Sequence, residues 1–215
     1  MIPLSGVSLR SAQTPVRDQG PRPTCAVFAV TAAHEWMRGD RVDLSAESCL
    51  WSAKRIAPSP GGATSVIAGL DGIGADGQAR DADWPYGAPS YPAAPPPAAA
   101  DPANRVKPGP WRRLGLPLLP EMREILEQGE ALMLSLRFVV RAWFGASEDG
   151  FVDAPPGEPV EDGHAVIAVG VGGSNGTEVI EFKNSWGAEW GDSGYGYLSE
   201  GYWTRYGKAA YALAA

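Results

Sequence analysis

The chain has 215 residues, 44% hydrophobic and 20% charged, a composition typical of a soluble globule that folds without disulfide staples. Its formal net charge of −7 repels phosphate backbones and anionic lipid, so neither nucleic acid nor a membrane is expected as a partner. Two cysteines and two histidines are too few for a four-ligand zinc site, so we predict no metal and no cofactor.

The first half of the chain is predicted to be helical. Small and apolar residues recur every three or four positions from Cys25 to Arg38, which indicates one buried helical face. A second helix is predicted from its N-cap Ser45 to Ile56, and a third, short one over Ala63 to Leu70 ends at two glycines that follow it. We therefore expect a helical lobe over residues 20–88.

The second half is predicted to consist mainly of strands. Residues 89–110 hold eight of the twenty prolines, a composition that disfavours helix interiors and sheets and predicts a long connector. A short helix over Glu121–Gln128 and a strand over Ala131–Val140 open a second lobe, expected to span residues 111–205. Helices in front and strands behind predict one α+β domain of two lobes over residues 1–215.

A hairpin is the most informative predicted geometry. The apolar runs 164–171 and 177–184 are separated by a glycine-rich turn. If the strands fold about Ser174, His164 and Asn184 lie directly opposite each other, roughly 5 Å apart at Cβ. An amide oxygen that accepts from one imidazole nitrogen fixes the tautomer and directs the other nitrogen outward.

Cys25 is the candidate nucleophile. At the first turn of a helix, unpaired backbone N–H groups and a neighbouring imidazolium are expected to lower the pKa of its thiol. An isolated cysteine is more often an inert buried thiol, which is what we expect of Cys49 in the second helix. A disulfide between the two is arithmetically possible, but it would consume the nucleophile.

Helix geometry separates the two histidines. His34 lies nine residues after Cys25 on the same helix, about 13 Å along the axis and on the opposite face, so it cannot reach the thiol. His164 is then the candidate base, although a histidine at a strand end is more often a satisfied structural residue.

Two further residues have both a functional and an ordinary interpretation. Gln19 could donate its amide toward the helix terminus that presents the Cys25 N–H, forming an oxyanion hole, or it could face solvent in a turn. Trp186 could cover the contact between His164 and Asn184 and exclude water, and ordinary core packing would look the same from the sequence.

The region around His164 is acidic. Between Ala142 and Glu200 there are eleven Asp or Glu and the single cation Lys183. This pattern predicts either a solvated surface that keeps the protein soluble or a cleft that favours cationic substrates.

Three motifs together resemble the papain family of cysteine peptidases. They are Pro15–Gly20 followed by Cys25, then Asp162–Val166, then Lys183–Gly187 with Trp190-Gly191 and Gly194–Gly196. The resemblance implies a two-lobed α+β papain-like fold, with a helical left lobe, an antiparallel β-barrel-like right lobe and the active-site cleft between them.

The resemblance also implies roles for single residues. Gln19 would be the oxyanion-hole donor, Cys25 the nucleophile, His164 the base and then the acid, and Asn184 the residue that orients it. The substrate would be bordered by four residues: Gly61, Gly62, Gly163 and Trp186.

The chain departs from the family pattern beside the nucleophile. Arg22 stands where the family has a disulfide-bonded cysteine, Ala26 where it has a tryptophan, and Pro23-Thr24 where it has Gly-Ser. These changes predict a disulfide-free variant with a reshaped loop before Cys25.

The activity implied is hydrolysis of peptide bonds in peptide or protein substrates through a thioester. One alternative is a dedicated maturation or cyclising enzyme that passes the acyl group to an amine. The other is an inactive pseudo-peptidase that only binds peptides.

The N-terminus lacks the apolar core of a secretory signal, and Ile2-Pro3 resembles the start of mature family members. We therefore expect a short, propeptide-less, monomeric, cytoplasmic enzyme, secreted only if a signal and propeptide were removed.

Overall fold

The structure, a computed structural model, describes residues 4–59, 63–87, 94–174 and 176–214. No helix within these ranges has the length and apolar character needed to cross a bilayer. The helices are α1 Cys25–Arg38, α2 Ala46–Ile56, α3 Val66–Asp76, α4 Pro97–Ala100, α5 Leu119–Glu127, α6 Val140–Gly145 and α7 Glu200–Tyr206, with 3₁₀ turns at Arg10–Ala12 and Pro102–Asn104. The strands are β1 Ser5–Ser8, β2 Trp111–Gly115, β3 Ala131–Arg137, β4 Phe151–Val152, β5 Gly163–Ser174, β6 Thr177–Lys183, β7 Tyr195–Ser199 and β8 Gly207–Leu213.

The helical layer is built around α1, which has small or β-branched residues on nearly every side and is buried along most of its length. It packs against α2 and α3 on one side and against β3 and β5 on the other. Gly39 closes the helix in the left-handed conformation, with φ of 68°. The helix begins at Cys25, and its contacts with β3 and β5 fix it against the sheet.

The third helix differs from its prediction. It runs from Val66 to Asp76 rather than over Ala63 to Leu70, and Ser65 caps its start by accepting from the Ala68 N–H. The two glycines expected to terminate the helix lie inside it. A Cβ on one of them, Gly72, would lie 2.7 Å from the backbone nitrogen of Ala53. Here glycine allows α3 to approach α2 closely instead of ending the helix.

A single sheet forms the second layer. Its strand order is β2-β8-β3-β5-β6-β7-β4, with β1 paired to β5, and only the β4–β7 pair is parallel. The strands β1 and β8 belong to this sheet although they lie outside the predicted range 111–205. In the predicted connector, the described part contains two short helical turns, at Pro97–Ala100 and Pro102–Asn104.

The alternation of side chains along the strands separates two cores. Ala165, Ile167 and Val169 of β5 pack with α1. Val166 and Ala168 pack on the opposite face with α5, α6 and α7. The end of β5 at Gly163 thus lies where the helical layer meets the sheet.

The register of the hairpin is different from the predicted one. Ser174 pairs with Thr177, so the turn is shorter and later than a fold about Ser174, and a bulge between Ala168 and Gly170 shifts the register further. Ile167 faces Lys183, so the position opposite Asn184 would be Val166. The prediction that His164 and Asn184 are direct cross-strand neighbours is wrong.

Candidate active site

His164 and Asn184 nevertheless form a hydrogen bond, with Nε2 and Oδ1 2.9 Å apart. Both residues are buried. The same Asn184 oxygen accepts from the backbone N–H of Ser185 at 2.9 Å, which fixes the orientation of the amide. Nε2 is therefore the protonated nitrogen, and Nδ1 carries the lone pair that can take up a proton.

Cys25 begins α1, and its side chain is only partly buried. It lines a pocket of about 180 Å³ together with His164. Gly163 lines the same pocket, as do Thr64, Ser65 and other residues at the start of α3. The pocket lies between the helical layer and the ends of the sheet strands, so a peptide entering it would meet the thiol and the imidazole together.

Gln19 is held in a fixed orientation in the loop before Cys25. Its side-chain Nε2 donates to the Arg22 carbonyl at 2.7 Å, and its Oε1 accepts from the Ser185 hydroxyl at 2.6 Å. Its backbone N–H also donates to the Ser185 carbonyl, at 2.8 Å. The amide has two N–H bonds, and the described residues accept from only one of them.

Aromatic rings enclose the imidazole of His164. The ring of Trp186 lies 4.8 Å away and that of Trp143 lies 4.7 Å away, measured between centroids. Trp143 is fully buried and donates its indole N–H to the Tyr202 hydroxyl. These rings keep water away from the bond between His164 and Asn184.

The two interpretations of Trp186 both have support, since it covers the imidazole and also packs against the second core. It does not line the pocket that contains Cys25, so its predicted contact with substrate stays a prediction. Gly61 and Gly62 lie outside the described residues. Sequence reasoning missed Trp143, whose apolar helix carries no motif.

Burial controls the ionisation of the site. It raises the pKa of the Cys25 thiol, and hydrogen bonds from the backbone N–H groups of Ala165 and Ala26 oppose the rise. It lowers the pKa of His164 to about 4, against the opposing effect of the Asn184 bond. The predicted lowering of the thiol pKa is therefore wrong for the resting site, because desolvation by burial outweighs the backbone N–H groups.

The other cysteine and histidine have structural environments. Cys49 is fully buried, and burial raises its pKa to about 12. Both cysteines are free, so no disulfide joins them. His34 is buried with Nδ1 2.8 Å from the Gln78 side-chain oxygen. Within the described ranges no group of three His, Cys, Asp or Glu is placed to hold a metal ion.

An ion pair anchors the loop before Cys25. Arg22 and Glu47 are both buried, and two nitrogens of the guanidinium contact the two carboxylate oxygens at 2.7 and 2.9 Å. The guanidinium also lies 4.7 Å from the centre of the Tyr86 ring. The arginine that replaces a family cysteine thus connects the loop to α2 without a disulfide.

A cysteine at the start of a buried helix, sharing a pocket with a histidine–asparagine pair on an adjoining sheet, defines a papain-like protein. Three solved structures have the same fold. They are xylellain, a cysteine protease from Xylella fastidiosa (TM-score 0.80, 20% identity, covering 100% of this chain and 87% of that one), digestive procathepsin L 3 of Tenebrio molitor larval midgut (0.78, 22%, 99% and 71%), and the Carica candamarcensis cysteine protease CMS1MS2 in complex with E-64 (0.69, 24%, 97% and 97%).

The sequence is also similar to cysteine proteases of the papain type. Residues 123–215 match the profile of the papain family cysteine protease. Chymopapain of Carica papaya is 30% identical over 194 residues, which cover 86% of this chain and 51% of that protein, and cathepsin K of Gallus gallus is 51% identical over 41 residues, 19% of this chain and 12% of that protein. The chain is similar to papain-family cysteine proteases over most of its length, and it spans about half the length of chymopapain.

Proposed function

We propose that this chain is a cysteine peptidase that hydrolyses peptide bonds in peptide or protein substrates. The observation that carries the proposal is the hydrogen bond from His164 to Asn184, which leaves Nδ1 as the basic nitrogen in the pocket that also contains Cys25. A base oriented by a third group, beside a nucleophile, is the arrangement that acyl transfer requires.

The first half of the reaction forms a thioester. His164 Nδ1 takes the proton from Cys25 Sγ, and the sulfur attacks the carbonyl carbon of the scissile amide. The resulting oxyanion accepts from the Cys25 backbone N–H and from the second N–H of the Gln19 amide. His164 then gives its proton to the amide nitrogen, the C–N bond breaks, and the amine leaves.

Hydrolysis of the thioester completes the cycle. His164 removes a proton from water, the hydroxide attacks the thioester carbonyl, and the C–S bond breaks. The acid product leaves, and the sulfur recovers its proton from His164. The same oxyanion donors serve both halves of the reaction.

Proton transfer inside the site avoids the cost of an isolated charge. Burial disfavours the Cys25 thiolate and the His164 imidazolium separately. When the proton moves from sulfur to Nδ1, the two charges form together and attract each other in a medium of low dielectric. The free N–H groups at the start of α1 favour the thiolate further.

Substitution of the nucleophile tests the proposal directly. We expect Cys25→Ala to lower kcat/KM on a peptide library by at least about 1000-fold. Cys49→Ala is the matched control, because this thiol lies in the core and away from the pocket. Cleavage by the Cys25→Ala protein at the wild-type rate would refute the proposed function.

The mass of the products shows whether water or an amine accepts the acyl group, since hydrolysis alone adds water.

We also propose that the enzyme acts in the cytoplasm as a monomer. The support is that both cysteines are free, as expected in a reducing compartment. Cell fractionation and gel filtration test this, and recovery in the culture medium or as a dimer would contradict it.

A further inference from the structure

Lys208 occupies the extra position of a β-bulge. Ser135 of β3 faces Ala209, but the next residue, Leu136, faces Gly207, so Lys208 has no partner in the register. Regular alternation would place residues 207 and 209 on the same face of the sheet. Instead Ala209 packs with α1, and a Cβ on Gly207 would meet Trp203 on the other face. A bulge redirects the side chain that it carries.

The redirected side chain lies in the pocket that contains Cys25 and His164. Lys208 lines this pocket, and its Nζ would be 3.7 Å from a Cβ placed on Gly163. Its side chain is exposed, and among the described residues no carboxylate lies within 4.0 Å of its ammonium group. Among the described residues, this ammonium group thus has no carboxylate partner, and it lies near Gly163, the residue before the base His164.

The acidic region contributes one carboxylate to the described lining of this pocket. Of the eleven acidic residues between positions 142 and 200, Asp162 is the one among the described residues that lines it. Others pair with arginines elsewhere: Asp192 and Glu181 with Arg10, and Asp153 with Arg205. The hypothesis of a cleft that favours cationic substrates thus finds no support in the residues around the thiol.

Resting on the proposed peptidase function, we infer that Lys208 selects substrates that place an Asp or Glu side chain in this pocket. The pocket volume of about 180 Å³ suits one side chain rather than a larger ligand. A carboxylate there would form a charge-assisted hydrogen bond with the ammonium group. Asp162 acts electrostatically on Cys25 and adds a repulsion close to the sulfur, so the favoured position for the carboxylate is at Lys208.

Binding to an inactive protein tests the inference without turnover. The probes are six pairs of capped hexapeptides, alanine except for one Glu or Gln at each position in turn, titrated into the Cys25→Ala protein by calorimetry. We expect the Glu peptide to bind about 10-fold more tightly than its Gln partner at one position. Raising the salt concentration should reduce this ratio, because the lysine is exposed.

Substitutions of the lysine identify the cause of the preference. In the Cys25→Ala background, Lys208→Met should bring the Glu:Gln ratio close to one, Lys208→Arg should retain it, and Lys208→Glu should invert it. Lys107→Met is the matched control, since it removes the same charge from an exposed lysine that lines a different pocket, and it should leave the ratio unchanged.

Three results would overturn the inference. The first is a Glu:Gln ratio near one at every position, and the second is undetectable binding of all twelve peptides at millimolar concentration. The third is a ratio that Lys208→Met does not alter. The proposed function fails separately. If the Cys25→Ala protein prefers Glu but the wild-type protein cleaves none of the twelve peptides or a wider library, the pocket selects carboxylates and the chain is not a peptidase.

Discussion

A single amide, that of Asn184, determines which nitrogen of His164 can act as the base. Its oxygen holds the Nε2 proton and is itself held by the Ser185 N–H. The rings of Trp186 and Trp143 shield this bond from water, so no solvent molecule can replace the amide at low cost. The tautomer is therefore a property of the folded site and not of histidine alone.

Removal of the amide tests this role. We expect Asn184→Ala to lower kcat/KM by about 10- to 100-fold, the usual cost of losing the partner that orients a histidine. The Asn184 bond raises the pKa of His164, so its loss lowers that pKa further. The acid limb of the pH–rate profile, where His164 takes up a proton and can no longer act as the base, should then move to lower pH.

A residue that acts only on stability would not move that limb. Asn104→Ala is the control, because this exposed asparagine donates to the Ala98 carbonyl far from the pocket. An Asn184→Ala enzyme with reduced activity and an unaltered pH profile would contradict the role as orienter.

At the scale of elements, the loop before α1 is held from two sides. Gln19 bonds to the segment that follows β6, and Arg22 bonds to Glu47 on α2. The N-terminus of α1 is thus fixed relative to both layers. The segment carries Pro23-Thr24 in place of the family's Gly-Ser, and the ion pair supplies the connection that a disulfide makes in the family.

Breaking this ion pair should destabilise the fold. Arg22→Met leaves the Glu47 carboxylate buried without its partner, which costs about 3–5 kcal/mol in the free energy of unfolding. Urea denaturation measures the change. The double variant Arg22→Met/Glu47→Leu should recover most of the loss, because no charge is left buried, whereas equal losses in the single and double variants would show that the pair itself does not matter.

At the scale of the whole molecule, buried polar groups join the two layers behind the site. Lys183 of β6 donates to the Thr14 carbonyl at 2.7 Å, and the Thr14 hydroxyl donates to Glu35 of α1 at 2.5 Å. Arg17 completes the network with an ion pair to Glu35 at 2.7 Å. Burial lowers the pKa of Lys183 to about 8 and raises that of Glu35.

The stability of the molecule should depend on pH through His164. Its pKa is about 4 in the folded chain and about 6.5 in an unfolded one. As pH falls from 6.5 to 4, His164 becomes protonated in the unfolded chain but stays mostly neutral in the folded chain. The free energy of unfolding therefore decreases by about 3 kcal/mol.

The comparison variant is His164→Gln, which cannot titrate. Urea unfolding at pH 7 and pH 4 measures both proteins, and the wild type should lose about 3 kcal/mol more than the variant. Equal losses would mean that folding does not lower the pKa of His164.

Local patterns in the sequence were sufficient for much of this molecule. The helix that begins at Cys25 follows from its apolar periodicity. Helical geometry places His34 on the far face, where the structure shows it beside the side-chain oxygen of Gln78. The contact of His164 with Asn184 was also predicted, but from a wrong register. It survives because both residues lie at the open end of one hairpin, where long polar side chains span a shift of two residues.

Long-range packing decided the rest. The bulges at residue 169 and at Lys208 depend on how neighbouring strands align, and α3 extends through glycines because α2 lies against it. The rise in the Cys25 pKa reflects burial, and residues of α3, β3, β5 and β8 line the pocket around the thiol. The sequence by itself determined which chemical groups are present and their local order, because these depend on nearest neighbours. Only the tertiary structure decided their ionisation and the charge at the mouth of the pocket, because desolvation and strand register depend on segments that meet only after folding.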